Sequence, residues 1–309
     1  MRLLLAGAYR FGTGQINKLI GLGYEVILVQ DERVPLNFDV SNIDVVVCNS
    51  LFLYSDISLF KKLKVIQVTS SGLDRIPLEY ARENKIIVLN AKGVYSIPMA
   101  EWVILKILEI YKKSKFFYKN QENQIWDKRR DLLELRGKTA SIIGYGNVGC
   151  EVAKRLKAFD VNIVGVGRNS IQSNYVDESI NINELDVALK KSDIVILTLP
   201  LNSKTRHLIN KKQLDNMKEN AVLINVARGE IIDENELIKT LNDGKLLGVA
   251  LDVFKEEPLG ESPLWNFENV IITPHNSFVS ENINTRLFDL IYKNMSKLIF
   301  DYNDKEGSL

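Results

Sequence analysis

The sequence predicts an α/β protein of two doubly wound parallel-sheet lobes with a cleft between them, and three observations carry that expectation. At 309 residues the chain is longer than one typical core and suits two. Short runs rich in Val, Ile and Leu alternate with helical patterns from end to end, as parallel strands covered by helices on both faces do. The alternation breaks once, at Pro98, and then resumes.

The first lobe takes its strands from Arg2 to Gly7, Glu25 to Gln30, Asp44 to Asn49, Lys64 to Thr69 and Ile86 to Asn90. One long helix is expected from Pro98 to about Asn120, followed by a polar segment up to Arg136 that contains Trp126. The second lobe begins with a strand from Thr139 to Ile143. It continues through Asn162 to Val166, Asp193 to Leu199, Ala221 to Ala227, Leu246 to Val253 and Val270 to Thr273. Ser280 to Phe300 reads as an amphipathic helix with Ile283, Leu287, Leu290 and Ile291 on its apolar face. Its expected return to the first lobe assigns residues 1–97 and 279–309 to one domain and 98–278 to the other.

Forty Lys and Arg against 39 Asp and Glu leave no net field to recruit nucleic acid or an anionic membrane, so the expected partner is a small molecule. Cys48 and Cys150 are isolated, and no His, Cys and carboxylate cluster has ligand spacing, so neither a disulfide framework nor a metal is expected. With no secretory leader pattern and no apolar stretch of spanning length, the expected compartment is the cytoplasm.

Gly144, Gly146 and Gly149 form G-x-G-x-x-G directly after the strand at Thr139 and directly before a helical run from Val148 to Phe159. Glycines there let the backbone turn tightly and approach a pyrophosphate at a helix N-terminus, where free N–H groups and the dipole favour an anion. The next strand of such a unit normally ends in an acid for the adenosine ribose, but that position is Gly167, followed by Arg168, Asn169 and Ser170. Glycine leaves room for a ribose 2′-phosphate and Arg168 can pair with it, so NADP is favoured, with NAD as the alternative.

Of the two histidines, His275 follows the last apolar run, at a strand's carboxyl end, where ligands of open α/β sheets bind. His207 lies in a polar stretch and reads as structural. Arg228 and Glu257 each follow another strand. Taken singly, each of the three has an equally good reading as a surface or loop residue; together, beside a cofactor fold, they form a catalytic set. A fixed guanidinium and a proton donor stabilise the charge that hydride addition builds on a carbonyl oxygen, and a carboxylate beside His275 favours its protonated ring.

GYGNVG (144–149), INVARGEIIDENEL (224–237), GVALDVFKEEP (248–258) and ITPH (272–275) resemble, in order and spacing, the signature blocks of the D-isomer-specific 2-hydroxyacid dehydrogenases. The resemblance implies a Rossmann dinucleotide-binding domain and a flavodoxin-like substrate domain. It implies reduction of a small 2-oxo acid to a D-2-hydroxy acid, with Arg228 clamping the substrate, His275 protonating the carbonyl oxygen and Glu257 holding the imidazole. It places Asn147, Val148, Pro200, Val226, Ala227 and Asp252 on the cofactor. The loop from Ser70 to Asp74, with Ser70, Ser71 and Gly72, would hold the substrate carboxylate, and residues 98–136 look like a homodimer-forming arm.

The family's phosphoglycerate dehydrogenases hold a phosphate with arginines in the loop after the third strand, which here reads CNSLFLYSD (48–56) and has no basic residue. Leu51, Phe52, Leu53 and Tyr54 suit a small or apolar side chain, or belong to the core, while Tyr9 and Arg10 can offer one positive charge. Apolar 2-oxo acids, glyoxylate and hydroxypyruvate therefore rank above phosphohydroxypyruvate. Two alternatives stay open: a short-form D-3-phosphoglycerate dehydrogenase and an NAD(H)-sensing binding protein like the family's corepressors. Formate dehydrogenation is disfavoured by Thr273 before Pro274.

Overall fold

The computed structural model describes residues 1–7 and 11–306, with side chains through residue 300, so Tyr9 and Arg10 lie outside the described residues. The chain divides into two compact units, Met1–Tyr95 with the stretch from Ser280, and Ser96–Val279.

The first unit runs β1 (Arg2–Ala6), α1 (Thr13–Gly21), β2 (Glu25–Val29), β3 (Val45–Cys48), β4 (Val65–Val68), α2 (Leu78–Glu83) and β5 (Ile87–Leu89). Its sheet is parallel throughout, in the order β2-β1-β3-β4-β5. The interior strands β3 (VVVC) and β4 (VIQV) are buried at every residue, which is why they read as continuous apolar runs. β3 stops at Cys48, short of the expected Asn49, because the Asn49 and Ser50 N–H groups turn to the Glu32 carboxylate at 2.9 and 2.8 Å.

The second unit opens with α3 (Ser96–Tyr111) and α4 (Ser114–Glu122). The single helix expected from Pro98 is thus two: Lys113 takes φ 51°, which no right-handed helix can contain, and a new helix starts after it. Pro98 sits in the first turn of α3, where its missing N–H costs nothing. Then follow β6 (Thr139–Ile143), α5 (Asn147–Lys157), β7 (Asn162–Gly167), β8 (Glu178–Asn181), α6 (Leu185–Lys191), β9 (Ile194–Leu197) and α7 (Lys211–Asn216). The unit closes with β10 (Val222–Asn225), α8 (Glu234–Asn242), β11 (Gly248–Leu251) and β12 (Val270–Ile272).

The order is β12-β11-β10-β9-β6-β7-β8, again parallel. β8 (ESIN) was not expected: Ile180 is its one buried residue, too little to make a pattern. The core lies on both faces. Ile143, Val195, Leu197 and Leu223 point into one layer, and Ile142, Ile194, Ile196, Val222 and Ile224 into the other, with the period of two that strands impose.

The last helix, α9 (Ile283–Glu306), rejoins the first unit. Its Ile283, Leu287, Phe288, Ile291 and Met295 are buried. Tyr24 Oη donates to the Met295 carbonyl at 2.9 Å and Asn294 Nδ2 to Gln67 Oε1 at 2.7 Å, which fixes the helix against β2 and β4. No helix among the described residues is long and apolar enough to cross a membrane.

Candidate active site

The glycine turn lies where the second sheet reverses direction, between β6 and β9, the position at which open α/β sheets bind ligands. Gly144 has φ 93°, and an added Cβ would lie 2.5 Å from Leu199 Cβ, so no other residue fits. Thr198 Oγ1 donates to the Gly144 carbonyl at 2.7 Å and pins the turn to β9. Gly146 caps α5 without a side-chain hydrogen bond and its Cβ position faces open space. The N–H groups of Asn147, Val148 and Gly149 donate to no backbone acceptor among the described residues, and the first turn carries no acid. That cradle fits a dinucleotide pyrophosphate.

β7 ends at Gly167, and Arg168, Asn169 and Ser170 are exposed beyond it. Asn181 Nδ2 donates to the Arg168 carbonyl at 2.9 Å, which holds this loop, while the guanidinium has no partner among the described residues. Tyr145 Oη and Ser173 Oγ, 2.8 Å apart, tie the glycine turn to the same loop. Pro200 is exposed after β9, whereas Val226 and Ala227 are buried after β10.

Arg228, Glu257 and His275 all belong to the second unit. Asn225, 1% exposed, folds the chain after β10: its Oδ1 accepts from Ala227 N at 3.0 Å and its Nδ2 donates to the Arg228 carbonyl at 2.9 Å. Arg228 Nη1 donates to the Ala227 carbonyl at 2.7 Å. Gly229 then presses on the next loop so closely that a Cβ would lie 1.9 Å from the Phe254 carbonyl carbon. The Phe254 N–H in turn donates to Glu257 Oε1 at 3.0 Å, and Glu257 Oε2 accepts from His275 Nδ1 at 2.7 Å.

Burial by itself raises the Glu257 carboxyl. The His275 hydrogen bond, the Phe254 N–H and the charges of His275 and Arg228 outweigh it and hold the carboxyl below the ordinary glutamate range. His275 has φ 50°, a left-handed backbone that costs a residue with a Cβ roughly 1–2 kcal/mol. Asp252, with no exposed surface, offsets that cost. Its oxygens accept from Thr273 Oγ1 at 2.5 Å, Asn276 N at 2.8 Å and Ser277 N at 2.9 Å, gripping the chain on both sides of His275. A ring held at Nδ1 by a carboxylate presents Nε2 as a proton donor or acceptor.

His207 is exposed in a turn with φ 51°, outside this network. The Asn225 and Thr273 contacts were not foreseen from sequence. Their signal was a polar residue at the end of an otherwise apolar strand, as in VLIN.

In the first unit Ser70 Oγ donates to the Gly72 carbonyl at 2.9 Å, and Asn90 Nδ2 to the Ser71 carbonyl at 2.8 Å. The N–H groups of Ser70, Ser71 and Gly72 donate to no acceptor among the described residues, so this loop also fits a carboxylate. Leu51 and Phe52 pack into the core, while Leu53 and Tyr54 line a cavity.

The family described as D-isomer specific 2-hydroxyacid dehydrogenase, NAD binding domain, matches residues 104–277. The D-3-phosphoglycerate dehydrogenase of Methanocaldococcus jannaschii is 38% identical over 244 residues, 77% of this chain but 46% of that protein, so the match spans less than half of that relative. The glyoxylate reductase of Thermofilum pendens is 37% identical over 242 residues, 75% of this chain and 71% of that one. A solved glyoxylate reductase from Paecilomyes thermophila superposes with a TM-score of 0.85 at 27% identity, covering 97% of this chain and 95% of its own.

Proposed function

Because the chain belongs to the D-isomer specific 2-hydroxyacid dehydrogenase family, we propose that it reduces a small 2-oxo acid to a D-2-hydroxy acid. The observation that carries this reading is the 2.7 Å hydrogen bond between His275 and Glu257 in a network that reaches back to Arg228. A bound nicotinamide dinucleotide supplies the hydride. Arg228 holds the substrate carboxylate and polarises its carbonyl. His275 delivers a proton from Nε2 to the carbonyl oxygen, and Glu257 steadies the ring at Nδ1 throughout. In the first unit, the uncommitted N–H groups of Ser70, Ser71 and Gly72 are the proposed donors to a substrate carboxylate. Asp252 keeps His275 in place through residues 273–277, and its second role would be to orient the nicotinamide amide.

We assign NADP as the preferred dinucleotide: Gly167 leaves the ribose position without an acid, and Arg168, Asn169 and Ser170 stand exposed beside it. Purified protein is tested with NADPH and NADH against glyoxylate, hydroxypyruvate, phosphohydroxypyruvate and 2-oxoisocaproate, in the wild type and in Arg168→Ala. Turnover that favours NADPH, with the NADPH to NADH ratio of kcat/KM falling about tenfold in the variant, agrees with the loss of one charge-assisted hydrogen bond. Binding of either dinucleotide without turnover of any acid would overturn the enzyme assignment.

The protein acts as a homodimer through α4 and the segment after it, where Trp126 is 94% exposed and Tyr118 and Ile125 are exposed too, apolar side chains of the kind a second copy covers. Trp126→Ser, run on a sizing column beside the wild type, shifts elution towards the monomer if this is correct. Two unpaired cysteines agree with a reducing compartment such as the cytoplasm.

A further inference from the structure

The first sheet reverses its strand order between β1 and β3, and a cavity of about 1200 Å³ opens there, lined by Gly7, Glu32, Arg33, Leu53, Tyr54 and Arg75 among others. Its charged residues are not equally available. Glu32, 5% exposed, accepts from Asn49 N, Ser50 N and Ser50 Oγ at 2.9, 2.8 and 2.7 Å, so its carboxylate is part of the wall. Arg33 is held by Asp31, with Nε and Nη2 donating to its carboxylate at 3.0 and 3.3 Å. Arg75 has no hydrogen-bond or ion-pair partner among the described residues, and it is one of the residues that line the cavity.

Arg75 follows three residues after Gly72, so the two Cα atoms are at most about 11 Å apart, the reach of a fully extended chain. One loop therefore offers uncommitted N–H groups for a carboxylate at one end and an uncommitted guanidinium at the other, with Tyr54 adding a hydroxyl. The sequence places no basic residue in the loop after β3; the cation comes instead from the loop after β4. We propose that Arg75 receives a second anionic group on the substrate's side chain, so that the preferred 2-oxo acid is a short dianion. This rests on the reductase reading above. The chemistry is that of a guanidinium meeting a carboxylate or a phosphate, which it binds through paired hydrogen bonds.

The test compares 2-oxoglutarate with 2-oxopentanoate, which lacks the distal carboxylate, in the wild type, Arg75→Met and Arg75→Lys. Binding of each acid to cofactor-loaded protein is measured alongside by calorimetry. The wild type prefers the dianion, and the ratio of kcat/KM for the two acids falls tenfold to a hundredfold in Arg75→Met, mainly through KM, with partial recovery in Arg75→Lys. Phosphohydroxypyruvate as a third acid identifies the anion as phosphate or carboxylate by which of the two loses more. A wild-type preference for 2-oxopentanoate, or an equal response of both acids to Arg75→Met, overturns the anion site. If neither acid is reduced but 2-oxoglutarate binding weakens in Arg75→Met, the reductase reading fails and the anion site stands. If neither acid binds, the anion site falls.

Discussion

At the carboxyl end of β6 the N–H groups of Asn147, Val148 and Gly149 are left for a ligand, whereas at the carboxyl end of β3 those of Asn49 and Ser50 are taken by the Glu32 carboxylate. Both places are switch points of parallel sheets. The second unit makes its site by omitting side chains, at Gly144 and Gly146, so that backbone can meet an anion. The first unit fixes its backbone with a buried acid and, in the reading proposed above, leaves recognition to side chains such as Tyr54 and Arg75. Cofactor binding should therefore tolerate change around the first cavity, and acid specificity should tolerate change around the glycine turn.

The largest effect expected within the second unit is on chemistry rather than on binding. His275→Gln removes the proton donor and lowers kcat by roughly 10²–10⁴-fold, the usual worth of general acid catalysis, while dinucleotide affinity measured by fluorescence titration stays at the wild-type value. Loss of both together would mean that the residue holds the fold. Gly144→Ala strikes the other function of the same unit: a Cβ 2.5 Å from Leu199 at φ 93° forces the turn to move. Dinucleotide affinity drops at least about tenfold, with roughly 1–3 kcal/mol of stability lost. An unchanged affinity would break the contrast between the two switch points.

Glu32→Gln tests the opposite side. The amide keeps the shape but loses the charge and turns one acceptor into a donor facing either the Asn49 or the Ser50 N–H, at a cost of about 1.5–3 kcal/mol. The thermal midpoint falls and KM for the acid rises, while dinucleotide affinity does not follow; if it falls as far as in Gly144→Ala, the two sites are not separate devices. The smallest effect concerns pH. The Glu257 carboxyl is held below its ordinary range, so its contribution is full above the unfolded range and is lost as pH falls through the depressed one. Since the pair is about one-third exposed, screening keeps that contribution small. The gap in thermal midpoint between wild type and Glu257→Gln should narrow on the acid side of the ordinary glutamate range, and a gap that stays constant would contradict the pairing.

Much of this was legible in the sequence, and the exceptions have physical causes. Interior parallel strands announce themselves because both faces are buried, whereas β8, an edge strand with one buried residue, does not. The break at Lys113 was hidden because a single left-handed residue leaves the apolar periodicity of α3 and α4 nearly intact. Arg228, Glu257 and His275 could be singled out as candidates because each follows a strand, and the structure brings Glu257 and His275 into one hydrogen-bonded pair. Their supports could not: Gly229 and Thr273 meet Phe254 and Asp252 across loops that approach in space alone, and the local turn held by Asn225 shows in the sequence only as one polar residue at a strand end. The same holds for Arg75, which a reading confined to residues 48–56 excludes and the fold brings to the same cavity.

Purified protein mixed with NADPH and each of glyoxylate, hydroxypyruvate, phosphohydroxypyruvate, 2-oxoglutarate and 2-oxoisocaproate, with the loss of reduced cofactor followed and each chiral product resolved on a chiral column, gives the most direct test of the reductase reading. One D-2-hydroxy acid formed per NADPH oxidised is the predicted result. The L-acid, or bound NADPH that stays reduced, would contradict it.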